Sequence, residues 1–437
     1  MFASFVAKET AAAATDVNPW DPDFIRPTRV FDVMEEKPHK ALRDFYDVGV
    51  DEAYKTSTIR IRRCNLISKH VTSLMQRATT RCPHLEVLEL TSNFSLRGDN
   101  LGINDHGHEA YTRNGDGIDA IIDVVRTSRT LRKLGLRKNA LDASAVANLA
   151  HALRANRHTV LHTLELGQNP WVHYHGCLTI AHMMVTNRSI TSLDMSYCDV
   201  GNSAPEFASA LLKNRAVATL SLRGNSIDSH GAIALADALL SATRSSLTHL
   251  DLSYNGIEHE GADALARMLR YRRCRLRVLD LSCNALSNGG TEMAGLRALT
   301  AALERNRSLR ELGLRNTGMV GLGARKSAYV RADLLAACMG PGDALAESLL
   351  HNRTVCKLDI SANGIRAGRA QRPILQAISK CPTAVSDAGI VKRCVHGRLE
   401  QAAERLPGFP AAFLAHTKKI VLAYSFAMLQ EKRDVRF

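Results

Sequence analysis

The sequence predicts an α/β solenoid of about ten strand–helix repeats, with a parallel sheet lining a concave face and helices covering the convex one. Three observations lead there. A nine-residue pattern of aliphatic positions ending in Asn recurs with a period near 29. Two of its aliphatic positions alternate with polar ones. An apolar stripe of helical spacing follows the clear copies at a fixed distance.

The pattern has one aliphatic residue, others three and five positions later, and Asn three beyond that. It is clearest at Leu131, Leu134, Leu136 and Asn139, and again over Leu247–Asn255 and Leu276–Asn284. Further full copies end at Asn93, Asn169, Asn225 and Asn363. Degenerate copies end at Cys198 and Thr317, and the weakest at Cys64, with Ile59 and Ile61 in the aliphatic slots. That makes ten units. Alternation at positions four and six defines a short strand with one face inward. The Asn turns the chain inward and hydrogen-bonds backbone groups that the turn would leave unpaired. Cys and Thr are small enough to replace it.

A helix follows in fixed phase. Val146, Leu149, Ala150 and Leu153 share one face, as do Ala232, Leu235, Ala236 and Leu239, and Ala262, Leu265, Ala266 and Leu269. This spacing starts each helix seven residues after its Asn. One such unit cannot bury its apolar face alone, so units must stack.

The form LxxLxLxx(N/C)x(L/I), the period, and helices of the type GAxALAxAL at Gly231–Leu239 and Gly261–Leu269 resemble the ribonuclease-inhibitor-like class of leucine-rich repeats. The resemblance runs from Thr56 to about Pro382. It implies a horseshoe and protein recognition through the concave face and its rims. Relatives in that class include inhibitors, immune receptors, ciliary scaffold subunits and the activator of Ran GTPase.

Three regions follow: an N-terminal strap and cap at 1–55, the array at 56–384, and a C-terminal helical cap at 385–437. The strap carries Trp20 and Phe24 among Pro19, Pro22 and Pro27 and reads as extended. The cap reads as two helices split by Pro407 and Pro410. Two repeats are over-long, with insertions near 94–117 and 318–341; long loops on a regular scaffold often carry function.

Hydrophobic residues make up 45% and aromatics 5%, so the core is aliphatic. The net charge of +14 favours acidic partners. No secretory or mitochondrial leader is recognisable at the N-terminus, so the ten cysteines read as reduced thiols of an intracellular, cytoplasmic protein. The apolar run Ile420–Leu429 is about half of a membrane span, so no membrane partner is expected.

Chemistry has little foothold. Gly321, Gly323, Lys326 and Ser327 suggest a phosphate loop, but Ala324 and Arg325 separate the last Gly from Lys, and a basic loop is the better reading. His106 and His108, and His173 and His175, read as polar loop residues, since neither pair has a second pair at zinc-site spacing. Neither cofactor nor metal is expected, and no catalytic motif is present, which points to a binding protein and not an enzyme.

On the concave face, strand spacing sets Arg137 between Glu89 and Glu165, Arg223 between Asp194 and Asp251, and Arg315 between Asp280 and Asp359. This is a self-neutralised ladder. One end keeps a basic excess: Arg60, Arg62, Arg63, Arg132, Lys133, Arg137 and Lys138 face only Glu86 and Glu89. That patch, Tyr197 and Tyr254 at the sheet edge, and the strap aromatics Trp20 and Phe24 are the candidate partner-binding residues. The reading is a non-enzymatic scaffold for an acidic protein surface. Analogy with ciliary subunits suggests a cytoskeletal setting and the acidic tails of tubulin. The alternative is a nucleic-acid-associated basic repeat protein. A Ran-type GTPase activator ranks third, because that branch ends acidic and this chain ends basic.

Overall fold

The computed structural model describes residues 29–49, 53–93, 116–242, 245–287 and 292–318, together with 345, 348, 352, 354, 355, 357–359 and 363. Trp20 and Phe24, nearly all of both insertions, the Gly-rich basic loop and the C-terminal cap lie outside the described residues. The chain divides into two units, 1–221 and 222–437.

The first unit contains β1 (Arg29–Met34), α1 (Pro38–Tyr46), β2 (Thr56–Arg62), α2 (Ser68–Arg81), β3 (Val87–Glu89), α3 (Asp116–Thr127) and β4 (Lys133–Gly135). It continues with α4 (Ala143–Ala155), β5 (Thr163–Glu165), α5 (His173–Thr186), β6 (Ser192–Asp194), α6 (Ala204–Lys213) and β7 (Thr219–Ser221). Each strand pairs in parallel with the next in the chain. In the second unit come α7 (Ser229–Ser241), β8 (His249–Asp251), α8 (His259–Arg270), β9 (Val278–Asp280), α9 (Ala294–Arg305), β10 (Glu311–Gly313) and β11 (Lys357–Asp359). Its strands also pair in parallel in chain order.

The first finding is an extra strand. β1 pairs with β2, setting Phe31 beside Ile59 and Val33 beside Ile61. The sheet therefore begins inside the segment read as strap, one strand ahead of the ten units. The pattern missed it because that register puts Glu36 where the other repeats have Asn, Cys or Thr. Phe31, Val33, Ala41, Leu42 and Phe45 are buried there.

The aliphatic slots behave as the pattern requires. Leu88, Leu90, Leu134, Leu136, Leu164 and Leu166 have no exposed surface. In the second unit Leu252, Leu279 and Leu281 likewise have none. Burying one such side chain contributes roughly 1.5–3 kcal/mol, so a stack of them supplies the main driving force.

Helix starts differ from the periodic reading. α4, α7 and α8 begin four residues after their Asn, because the first turn comes before the first apolar position. Two of these turns are fixed by Asp at the N-cap. Asp142 Oδ1 accepts from Ala145 N at 2.8 Å and Asp228 Oδ1 from Gly231 N at 2.9 Å.

The Asn slot forms a ladder. Asn139 accepts from Asn93 N at 2.7 Å and donates to Leu90 O at 2.7 Å. Asn169 does the same one repeat on, accepting from Asn139 N and Leu141 N and donating to Leu136 O. In the second unit Asn255 serves Asn225 N, Ile227 N and Leu222 O. Each amide thus satisfies backbone groups of the preceding repeat that a buried turn would leave unpaired. Cys198 keeps half of the function: its thiol donates to Leu166 O at 3.2 Å and receives the Asn169 N–H.

A second Asn ladder lies at the other end of the strands, in the helix-to-strand turns. Asn156, Asn187 and Asn214 follow α4, α5 and α6, and Asn306 follows α9. Asn214 donates to Met184 O at 2.7 Å and accepts from Ala216 N and Val217 N. Asn306 donates to Leu269 O at 2.7 Å and accepts from Ser308 N and Leu309 N. The sequence signal was present as a repeated Asn-Arg at 156–157, 187–188, 214–215, 306–307 and 352–353.

Candidate interaction surfaces

One backbone device sets the edge where the strands end. The residue just before the Asn slot lies in the left-handed region throughout: Arg63, Ser92, Lys138, Gln168 and Tyr197 in the first unit, Gly224, Tyr254, Cys283 and Asn316 in the second. Glu35, ahead of Glu36, does so too. Non-glycine residues avoid this region by roughly 1–2 kcal/mol. Here the conformation is held because N–H groups of this row reach the next repeat, as Arg63 N does to Thr91 O and Tyr254 N to Ser282 O. Four sequence-predicted residues, Arg63, Lys138, Tyr197 and Tyr254, occupy this same register position. All are exposed.

The basic patch of the first unit is less free than its composition suggests. Arg62 makes a forked bond to Asp32, at 2.8 and 3.0 Å, and Arg63 pairs with Glu35 at 2.8 Å. Both acids follow from β1, the strand the pattern missed. Arg60 lies 3.4 Å from Glu89, and Arg132 lies 3.6 Å from Glu86. Lys133 bridges Glu165 at 2.8 Å and Glu89 at 3.7 Å. The expected excess at this end is therefore mostly neutralised. Lys138 also has an interaction partner.

The charged strand positions stand in register, with one correction to the expected pairing. Arg60, Glu89, Gly135, Glu165, Asp194 and Ser221 stand side by side in register. Arg137, however, pairs with Asp194 at 3.1 Å, and Lys133 takes the place between Glu89 and Glu165 that was expected for Arg137. Glycine makes room: a Cβ on Gly135 would stand 2.9 Å from Glu89 Cγ, so that carboxylate arm lies across the bare strand. In the second unit the Asp280 carboxylate lies over Gly313 in the same way.

In the second unit Arg223 stacks on Tyr254 with its guanidinium 4.2 Å from the ring centre and donates to Ser253 Oγ at 3.1 Å, and its charge acts on Asp251, one of the two acids that spacing set beside it. Asp251 accepts from Ser253 N at 2.9 Å and Ser253 Oγ at 2.6 Å. Burial pushes its carboxyl above the ordinary range, and neighbouring Asp280 adds to this.

Cys64 and Cys198 fill the Asn slot, as the pattern requires, and are buried. Burial raises the Cys82 thiol to about 11 and the Cys198 thiol to about 12, and raises Cys177 further still, so all three are poor nucleophiles at neutral pH. His173 and His175 sit in the first turn of α5 and not in a loop; His173 Nδ1 lies 2.8 Å from Asp199 Oδ2. Among the described residues the one cluster with metal-ligand spacing is Glu258, His259 and Glu260. Its glutamates are exposed and its three residues are consecutive on the chain, an arrangement common without any ion. No helix among the described residues is long and apolar enough to cross a membrane.

Parallel strands alternating with helices, joined by a buried Asn ladder, define the class, and comparison with known proteins agrees. A family model described as Leucine Rich repeat matches residues 186–204, 244–266 and 274–293. Human NACHT, LRR and PYD domains-containing protein 5 is 28% identical over 303 residues, covering 66% of this chain and 23% of that protein. Mouse NACHT, LRR and PYD domains-containing protein 12 is 30% identical over 203 residues, covering 46% of this chain and 18% of that one. The chain thus spans about a quarter or less of the length of these relatives. Among solved structures, the leucine-rich repeat-containing protein LegL7 from Legionella pneumophila matches with a TM-score of 0.43 and 17% identity, over 80% of this chain and 97% of that one. The chain has the leucine-rich repeat fold.

Proposed function

We propose that this leucine-rich repeat array is a non-enzymatic scaffold that binds another protein. The supporting observation is the row of left-handed residues at the strand-exit edge. It presents Arg63, Lys138, Gln168 and Tyr197 from one rigid register position, next to a sheet face of fixed charges. Tyr and Arg are the side chains that most often anchor interfaces.

The partner carries acidic groups. Arg63 and Arg132 have side chains 61% and 54% exposed, and their acids Glu35 and Glu86 are 57% and 46% exposed. Pairs this wet are worth about 0–1 kcal/mol, so an incoming carboxylate can displace the resident one at small cost. Tyr254, with Arg223 on its ring, offers a second contact in the other unit. The test is affinity purification of the full chain from its source cells beside the variant R63E/R132E. Loss of a stoichiometric protein from the variant is the expected result. Equal recovery of the same partners by both would overturn the assignment of these residues, and recovery of none by the native chain would overturn the scaffold reading.

A further inference from the structure

Among the described residues, a dense cluster of exposed arginines lies elsewhere, in the second unit. The turn from α8 to β9 carries Arg270, Arg272, Arg273, Arg275 and Arg277, all exposed. The next turn, from α9 to β10, carries Arg305, Arg307 and Arg310, also exposed. The two turns touch. Asn306 donates to Leu269 O at 2.7 Å, and Arg310 N donates to Arg277 O at 2.7 Å. Eight arginines therefore share one edge. The acids within the same two turns are Glu304 and Glu311, neither of them exposed. No carboxylate among the described residues pairs with Arg270, Arg272, Arg273, Arg275, Arg277 or Arg305.

Tyr271 stands inside this cluster, 41% exposed. Tyr271 lines a recess together with Arg273, Arg275, Leu247, Met268 and Leu276. An exposed aromatic residue among a surrounding set of planar guanidinium groups makes a stacking platform within a cationic track. We propose that this edge binds single-stranded nucleic acid, with backbone phosphates on the arginines and an unpaired base on Tyr271.

Three points favour this ligand. Every cation in the cluster is Arg, whose fork engages phosphate oxygens in pairs and whose plane also stacks on bases. Tyr271 would add nothing against duplex, whose bases are already stacked. Nor does a helix or ribbon project from these turns to enter a groove, since Asn306 ties them down. The site is independent of the acidic-protein reading above, which concerns other residues.

The test is fluorescence anisotropy of the full-length chain with labelled 20-nucleotide oligo(U) over a NaCl series. The native chain is expected to bind, with log affinity falling linearly against log salt. The variant R272A/R273A/R275A should bind at least tenfold more weakly at 0.1 M salt, with a slope shallower by about two, since each single-strand phosphate contact contributes roughly 0.7. Tyr271→Ala should lose about fivefold or more with the slope unchanged, and Tyr271→Phe should keep native affinity. A charge-matched control, R60A/R63A/R132A, should bind as the native chain does. Equal losses in the control and the triple variant would mean attraction to net charge alone and would overturn the site. Native binding by the triple variant would do the same. Displacement of oligo(U) by polyglutamate at equal charge concentration would reassign the edge to an acidic protein.

Discussion

Two basic regions of this molecule have opposite surroundings. Around Arg60–Arg63 and Arg132–Arg137, cations come from strands and the residues flanking them and meet acids of the neighbouring repeats, Asp32, Glu89, Glu165 and Asp194 among them. Around Arg270–Arg277, the cations come from helix-to-strand turns whose neighbours are further arginines. The contrast teaches that the residue offered by the neighbouring repeat decides whether a charge is structural: Arg132 and Arg277 both stand just ahead of a strand, but only Arg132 meets an acid, Glu86. Strand positions recur beside one another at about 4.8 Å, so alternating sign is favoured there. Turn positions project into water, where like charges are screened.

The strongest way to break the contrast is to remove what holds the turns. Asn306→Ala would strand Leu269 O and the N–H groups of Ser308 and Leu309, two of these three residues buried. A loss of about 2–4 kcal/mol in urea unfolding is expected, together with weakened oligo(U) binding. Next, Asp32→Ala should cost about 1 kcal/mol at low salt and less at 0.5 M, because the forked pair it removes is only partly buried. By contrast, Arg272→Ala or Arg275→Ala should leave stability within about 0.5 kcal/mol, since no intramolecular pair is lost.

The smallest effect concerns an acid whose burial outweighs its neighbouring cation. Asp251 binds its proton more tightly in the folded chain than in the unfolded one, so ionisation works against folding. Its contribution to stability is fully present below the unfolded pKa, about 4, and is lost as pH rises through the higher folded value. Asp251→Asn keeps an acceptor for Ser253 and removes the charge. It should raise Tm by about 1–2 °C at pH 7, with the advantage closing as pH falls toward 4.

Much of the scaffold could be read from the residues. The Leu and Asn slots, the helix faces, and the cysteines standing in for Asn all lie where the period put them. Three things escaped for definite reasons. β1 was hidden because Glu36 fills its Asn position, and with it went Asp32 and Glu35, so the first basic patch looked unopposed. The partner of Arg137 could not be told from spacing, because side chains slant across strands: Arg137 reaches forward to Asp194 while Lys133 spans Glu89 and Glu165. The helix-to-strand Asn ladder was written plainly as Asn-Arg, but a template ending at the first Asn did not extend to it.

The Asn ladder also bears on how such a chain can change length. Each Asn looks after the amides of the repeat before it and leaves its own to the repeat after it, as Asn139 does between Asn93 and Asn169. Copying or deleting a stretch from one Asn to the next therefore closes every hydrogen bond again with an equivalent partner. Cutting at any other boundary strands a buried amide. The repeat is thus the smallest unit of inheritance this fold tolerates, and its number can drift while its content stays fixed.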